Sequence, residues 1–156
     1  MKSILFVCLG NICRSPAAEG VLKRMLEKDE LSHVHVESCG MISHHVGDLP
    51  DERMRKAAQL RGIVLESRAQ QFLDTFFDRF DLILAADQQI YDGLIGRIRS
   101  DSDAQKVLMM TAFSSHYLNR EVPDPYYGGQ EGFNDVLDIL EDSCSGLIQH
   151  LQSPSS

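Results

Sequence analysis

The chain has 156 residues, 43% of them hydrophobic, which suits one domain with one substantial core. Lys and Arg number 15 against 23 Asp and Glu, so the formal net charge of −8 disfavours nucleic acid as a partner. The four cysteines show neither zinc-ligand spacing nor the density of a secreted disulfide scaffold, and no segment is long enough to span a membrane, so we expect a soluble cytoplasmic protein.

Strands and helices are predicted to alternate from the N-terminus onward. Residues 4–7 form a continuous apolar run, typical of a strand buried on both faces. Pro16 and the apolar residues at helical spacing behind it predict a helix with Ser15 at its N-cap. A second strand is predicted at residues 33–38 and a helix at residues 51–61.

The later part of the chain continues this alternation. It contains a third strand, a helix, a short fourth strand, an irregular segment and an amphipathic helix, at residues 81–86, 88–98, 106–110, 111–129 and 133–151. Asp87 can cap the helix that follows it. This order predicts an α/β domain at residues 1–152, with a parallel sheet covered by helices on both faces, and a disordered tail at 153–156. Ligands of such sheets bind at the carboxyl ends of the strands.

The loop between the first strand and helix carries the chemistry. Cys8 is followed by five residues, then Arg14 and Ser15. A thiolate at Cys8 would be a nucleophile, stabilised by loop N–H groups and by the positive end of the helix. The planar Arg14 side chain matches two oxygens of a phosphoryl group, and Ser15 can donate a hydroxyl to the sulfur.

Two loop residues suit a tight backbone. Gly10 permits geometry that a residue with a Cβ would resist, and Asn11 tolerates the left-handed region. The spacing of Cys8 and Arg14 alone would more often mark a buried structural cysteine before an ordinary turn. The strand before the loop and the Ser-Pro pair behind it favour an anion-binding site.

The motif Pro123-Asp124-Pro125-Tyr126-Tyr127 supplies a candidate acid. Its carboxyl, Asp124, could protonate the leaving group of a phosphate ester, and the two tyrosines could form aromatic walls. On its own the motif would more often be a surface turn, so this interpretation depends on Cys8.

The strings CLGNICRSPAAEG and DPYY together resemble the low-molecular-weight protein tyrosine phosphatases, over nearly the whole chain. The resemblance implies one three-layer domain with a four-stranded parallel sheet in the order 2-1-3-4. It also implies an enzyme, a protein-tyrosine-phosphatase that hydrolyses phosphotyrosine and aryl phosphate monoesters with no metal or other cofactor.

The resemblance assigns roles to individual residues. Cys8 would form a phosphocysteine, Arg14 would hold the phosphoryl oxygens, and Asp124 would act first as acid and then as base. The rest of the phosphate-binding loop would be Leu9, Gly10, Asn11, Ile12, Cys13 and Ser15. The bulky residue at position 12 is similar to that of phosphotyrosine members, since the related arginine phosphatases tend to carry threonine there.

Further positions match the family's substrate cleft and redox chemistry. Tyr126, Tyr127 and His44 would border the cleft, whereas His45 is more typical of a solvated loop. Cys13 matches a second loop cysteine that can close a disulfide onto Cys8, although a small residue filling the loop interior explains it equally well.

Two positions depart from the family pattern, and a third fits it. Ser67 and Gln70 stand where the family often has His and Arg, so the usual bracing of the loop asparagine by that histidine is absent. Asp87 fits an aspartate that the family has after the third strand, and a helix cap explains it equally well.

Alternative functions are a thiol-dependent arsenate reductase of the same fold, a phosphocysteine phosphocarrier and an inactive phosphotyrosine-binding module. The reductase needs relay cysteines after the third strand, and residues 85–96 contain none. A carrier has no use for Asp124, and Arg14 would be unexpected in it. Intact Cys8, Arg14 and Asp124 argue against an inactive module. The expected partners are phosphotyrosine proteins, bound by a monomer, with neither nucleic acid nor membrane as a partner.

Overall fold

The computed structural model describes residues 3–31, 33–126 and 128–153. Its strands β1 to β4 lie at Ser3–Cys8, His35–Gly40, Leu82–Ala85 and Val107–Met109. Within the same residues, helices α1 to α6 lie at Arg14–Lys28, Glu52–Gln59, Phe76–Arg79, Gln88–Ile95, Asp101–Lys106 and Gln130–Gln152.

The strands form one parallel sheet in the order β2-β1-β3-β4. Val7 of β1 lies in register with Cys39 of β2 and with Ala85 of β3. The carboxyl ends of these strands therefore meet at one edge of the sheet, and the loop behind β1 begins there. The predicted α/β fold and its strand order are confirmed.

Side chains of β1 point alternately into two cores, because successive strand residues face opposite sides of a sheet. Ile4 and Phe6 are buried with residues of α1, α2 and α6. Leu5 and Val7 are buried with residues of α3 and α4. Helices thus cover both faces, which explains the unbroken apolar run in this strand.

Two helix starts test the predicted caps. Helix α1 begins at Arg14 with Cys13 at the N-cap and no side-chain cap bond, so the prediction of Ser15 as N-cap is wrong. Ser15 is the second residue of the helix, and its hydroxyl contacts Cys8 rather than capping the helix. The predicted cap at Asp87 is confirmed, since its Oδ1 accepts from the Ile90 N–H at 2.8 Å.

Other boundaries differ from the predictions by a few residues. Strand β2 lies two residues later than predicted, and α6 begins three residues earlier. Helices α3 and α5 were not predicted. In the predicted tail, Ser153 is the C-cap of α6, and residues 154–156 lie outside the described residues. Along the described chain, no helix has the length and apolar character required to cross a membrane.

Candidate active site

The loop from Leu9 to Cys13 turns tightly against the end of β2. Gly40 pairs with Cys8, and a Cβ built there would lie 2.7 Å from the Leu9 carbonyl oxygen and 3.0 Å from the Asn11 nitrogen. Real Cβ atoms do not approach backbone so closely, and glycine alone allows this contact. Sequence reasoning missed the role of Gly40.

The unusual backbone conformation of the loop belongs to Asn11, whose φ is 59°. Asparagine adopts this left-handed region more readily than other residues with a side chain, as predicted. Gly10 does not have a positive φ, so the backbone role predicted for it is wrong. Its lack of a side chain instead makes room for His45, whose Cδ2 would lie 3.1 Å from a Cβ at position 10.

The Asn11 side chain is fixed by three hydrogen bonds. Its Nδ2 donates to Ser15 Oγ at 2.7 Å and to Ser38 Oγ at 3.0 Å. Its Oδ1 accepts from the backbone N–H of Gln70 at 2.9 Å. The family's histidine, which would brace this asparagine, is replaced by Ser67. The main-chain N–H of Gln70 braces Asn11 in its place.

Cys8 lies at the end of β1 and is 3% exposed. Its Sγ is 2.9 Å from Ser15 Oγ. The Ser15 oxygen already accepts from Asn11, so its own proton is available to the sulfur or to the Cys39 carbonyl, which is more distant at 3.3 Å. This geometry provides a donor for a thiolate.

The Arg14 guanidinium is buried, and two hydrogen bonds from one of its nitrogens fix its position. Its Nη1 donates to Asp87 Oδ2 at 2.7 Å and to the Val122 carbonyl at 3.0 Å. Asp87 therefore caps α4 with one oxygen and orients Arg14 with the other. The other terminal nitrogen of the Arg14 guanidinium, Nη2, is 4.0 Å from Asp124 Oδ2.

Asp124 is carried by the irregular segment behind β4. Val122 anchors this segment, since its N–H donates to the carbonyl of Ala86 at 2.7 Å and its side chain is fully buried. Asp124 Oδ1 accepts from the Tyr126 N–H at 3.0 Å, as in a turn, while the side chain stays 44% exposed. The carboxyl is thus positioned yet accessible to water and substrate.

These side chains line one cavity of about 400 Å³. The predicted residues around it are Cys8, Leu9, Gly10, Ile12, Cys13, Arg14, His44, Asp124 and Tyr126. Asn11 and Ser15 are buried behind the loop. The predicted cleft residue Tyr127 lies outside the described residues.

Two further residues, Ile42 and His45, also line this cavity. His45 lies in an exposed loop, as predicted, and its side chain is 27% exposed, yet its ring packs over Gly10 and its Nδ1 lies 3.2 Å from Asp48 Oδ2. His44 meets the His45 ring edge to face, with centroids 4.9 Å apart. No periodicity or motif in the sequence marks Ile42.

The opposite wall is formed by Tyr126, which is 39% exposed. The Arg53 guanidinium carbon lies 5.3 Å from its ring centroid and 4.8 Å from that of Phe133. Asp51 in turn binds Arg53 through two side-chain hydrogen bonds. The Arg53 guanidinium, which Asp51 fixes in position, therefore holds the Tyr126 ring in place through a cation–π contact.

The two loop cysteines have different surroundings. Burial, followed by the nearby carboxylate of Asp51, raises the pKa of the Cys13 thiol well above its ordinary value. Cys13 therefore stays protonated at neutral pH. All four cysteines, each within the described residues, carry free thiols. In the described part of the chain, no cluster of three His, Cys, Asp or Glu side chains could hold a metal ion.

Comparison with known proteins decides the family. A model of the low molecular weight phosphotyrosine protein phosphatases matches residues 3–156. The chain belongs to this family. A Synechocystis sp. protein classed as a low molecular weight protein-tyrosine-phosphatase is 44% identical to this phosphatase over 95% of each chain. The Schizosaccharomyces pombe low molecular weight phosphotyrosine protein phosphatase is 35% identical over 95% of this chain and 96% of its own.

A solved structure gives the same answer for the fold. The protein tyrosine phosphatase of Entamoeba histolytica, crystallised with Hepes in its active site, is 41% identical and covers both chains fully with a TM-score of 0.95. The phosphatase described here is thus a protein-tyrosine-phosphatase, and its substrates are phosphoproteins. Nothing in these similarities favours the arsenate reductase alternative.

Proposed function

We propose that this phosphatase hydrolyses phosphotyrosine through a phosphocysteine at Cys8. The observation that carries the proposal is the shared cavity: a sulfur at its buried end, the Arg14 guanidinium beside it and the Asp124 carboxyl 4.0 Å from that guanidinium. Nucleophile, anion-binding group and acid surround one space large enough for a phosphorylated phenol ring.

In the first step, the Cys8 thiolate attacks phosphorus and the bond from phosphorus to the phenolic oxygen breaks. Protonated Asp124 gives its proton to the departing oxygen, so the product leaves as a neutral phenol. Arg14 and the loop N–H groups bind the three other phosphoryl oxygens, whose charge grows in the transition state. Ser15 stabilises the thiolate by donating its hydroxyl.

In the second step, the Asp124 carboxylate takes a proton from water while the water oxygen attacks phosphorus. The bond from sulfur to phosphorus breaks, inorganic phosphate leaves, and Cys8 returns as a thiolate. The same carboxyl thus serves as acid and base. No metal or other cofactor is required, because Arg14 and the loop supply the positive charge.

The walls support an aryl ester as substrate. Cys8 is almost fully buried, so a reacting ester must extend along the cavity past Tyr126 and His44. An aromatic ring fills that space and packs against these side chains. A phosphoserine lacks such a ring, so the protein backbone that bears it would have to approach the loop itself.

The test compares wild type with Cys8→Ser and Asp124→Ala on an aryl phosphate and on phosphotyrosine peptides, with no added metal. We expect Cys8→Ser to lose turnover and Asp124→Ala to be slower while it still binds inorganic phosphate. Because one group must be ionised and the other protonated, kcat/KM should be bell-shaped in pH. Full turnover by Cys8→Ser, or a strict need for a metal, contradicts the proposal.

Cys13 is proposed as a redox partner of Cys8. Peroxide would oxidise the Cys8 thiolate to a sulfenic acid, and condensation with the Cys13 thiol would release water and form a disulfide. Cys13 itself stays protonated and buried, so Cys8 reacts first. We expect dithiothreitol to restore peroxide-treated wild type but not Cys13→Ser. Equal recovery of both proteins would leave Cys13 a packing residue.

We further propose that the enzyme acts in the cytoplasm as a monomer, binding neither nucleic acid nor membranes. The net charge of −8 repels polyanions, and free buried thiols suit a reducing compartment. Light scattering at micromolar concentration tests the monomer, and a dimer mass would contradict it.

A further inference from the structure

Glu19 is a buried carboxylate on α1 that the proposed mechanism does not use. Its side chain is 6% exposed. Charged groups are rarely buried so completely unless they are paired. Here Oε2 accepts from Lys23 Nζ at 2.5 Å, and Oε1 accepts from the Ser38 hydroxyl at 2.6 Å.

The bond to Ser38 determines which way the next hydrogen bonds run. A hydroxyl has one proton, and Ser38 gives it to Glu19, so its oxygen can only accept from Asn11. The second amide hydrogen of Asn11 goes to Ser15. The Gln70 N–H on Oδ1 prevents the amide from flipping, because a flipped amide would place two donors against each other.

The chain of bonds ends at the nucleophile. Ser15 accepts from Asn11, so its hydroxyl proton goes either to Cys8 Sγ at 2.9 Å or to the more distant Cys39 carbonyl at 3.3 Å. A charged Glu19 therefore fixes the direction of the Ser38 hydroxyl, which then accepts from Asn11, while the Gln70 N–H fixes the Asn11 amide that donates to Ser15. The Ser15 proton is left for the sulfur, which is its nearer acceptor.

Lys23 supplies the charge that keeps this arrangement in place. Its side chain is 51% exposed, on the wall of a second surface cavity of about 410 Å³ whose lining includes Glu27 and Val36. Without the ammonium group, Oε2 of the buried Glu19 carboxylate would lose the partner that holds it, and the carboxylate could turn away from Ser38. A Ser38 proton released from Oε1 can turn toward Asn11, where it opposes the Nδ2 donor and displaces the amide.

We propose that Lys23 is a positioning residue for the reaction: from the protein surface, and through Glu19, Ser38 and Asn11, it keeps the Ser15 hydroxyl directed at Cys8. The inference rests on the proposed function, because it assumes that Cys8 is the nucleophile. It assigns a part in catalysis to a side chain outside the cavity that holds the substrate.

The experiment measures how fast iodoacetate alkylates Cys8 at a fixed neutral pH, with the modified peptide identified by mass, beside kcat and KM on an aryl phosphate. In Lys23→Met, whose side chain is similar in length and helix propensity, we expect the alkylation rate and kcat to fall together by about 3- to 10-fold, the size of one hydrogen bond. KM should change by less than about twofold, since Arg14 still binds phosphate. Lys23→Arg should restore both rates.

Lys56→Met is the matched control, because Lys56 forms the same kind of ion pair one helical turn from Glu52 but both partners are about 70% exposed. It should leave both rates unchanged. Urea unfolding of each variant separates stability from reactivity. A Lys23→Met protein that reacts at the wild-type rates, even if it is less stable, overturns the inference. The proposed function stands in that case, because Cys8 is still alkylated and the protein still turns over substrate. A Cys8→Ser protein with full turnover instead refutes the proposed function itself.

Discussion

The contact between Asp87 and Arg14 offers a sharp test of how the anion-binding group is positioned. Asp87→Asn keeps a side chain that can cap α4, but it replaces the carboxylate oxygen that lies 2.7 Å from Arg14 Nη1. The variant thus removes the charge of the pair and spares the cap. Arg14 keeps its bond to the Val122 carbonyl.

The expected effect follows from the burial of the pair. The Arg14 side chain is 5% exposed and that of Asp87 is 21% exposed, so the pair is shielded more than a surface ion pair. A hydrogen bond to a charged group contributes about 1.5–3 kcal/mol. The neutral amide retains part of that, and we expect a loss of about 1–2 kcal/mol in the free energy of unfolding. A guanidinium misplaced by 1 Å can reduce the rate by about 100-fold, so kcat/KM should fall by about 10- to 100-fold.

Urea unfolding followed by circular dichroism gives the stability, and aryl phosphate hydrolysis gives kcat/KM. Ser100→Ala is the control, since Ser100 caps α5, the helix that leads into the amino end of β4. It should cost about 0.5–2 kcal/mol with no change in kcat/KM. Wild-type kcat/KM in Asp87→Asn would refute the orienting role of the carboxylate.

Three other substitutions test the surrounding structure. Gly40→Ala places a methyl group 2.7 Å from the Leu9 carbonyl oxygen and should lower kcat/KM by at least tenfold. Gly129→Ala is the control, because a methyl group there has no neighbouring atom within 4 Å, and equal activities of the two variants would contradict the packing argument. Asn11→Ala should be less stable than Asn11→Gly by about 1 kcal/mol in urea, because only alanine strains the left-handed backbone, and equal stabilities would argue against that strain. The His116 N–H lowers the pKa of Asp142 below its ordinary value of 3.8, so this carboxylate stabilises the fold above that pH and the effect is lost as pH falls through the lowered pKa. Asp142→Asn should flatten the acid side of a plot of stability against pH, and an unchanged slope would contradict the assignment.

The sequence predicts much of this site because its signals are local. The apolar run of β1, the spacing of Cys8 and Arg14 and the proline-flanked Asp124 each lie within a few residues. Long-range packing then brings Asp124 within 4.0 Å of Arg14. The resemblance of the motifs to a known family anticipates that proximity, whereas hydrophobic periodicity could not.

The missed contacts involve backbone groups or distant partners. Gln70 braces Asn11 with its N–H, a group that every residue except proline carries, so its side chain gives no signal. Gly40 matters because of a loop more than 25 residues earlier in the chain. Helix α3 has only four residues, and its burial in an aromatic cluster is a tertiary effect. Helix α5 was detectable, since Ser100 is a good N-cap residue and its side chain accepts from the Asp103 N–H.

The most direct test of the mechanism is to trap the covalent intermediate. Acid quenching within milliseconds of mixing with an aryl phosphate, followed by digestion and mass spectrometry, should find one phosphoryl group on Cys8. Asp124→Ala, which lacks the base for the second step, should accumulate more of it than wild type, Cys13→Ser should still form it, and Cys8→Ser should form none. Turnover without any phosphoryl group on Cys8, or a phosphoryl group on another residue, would contradict the account.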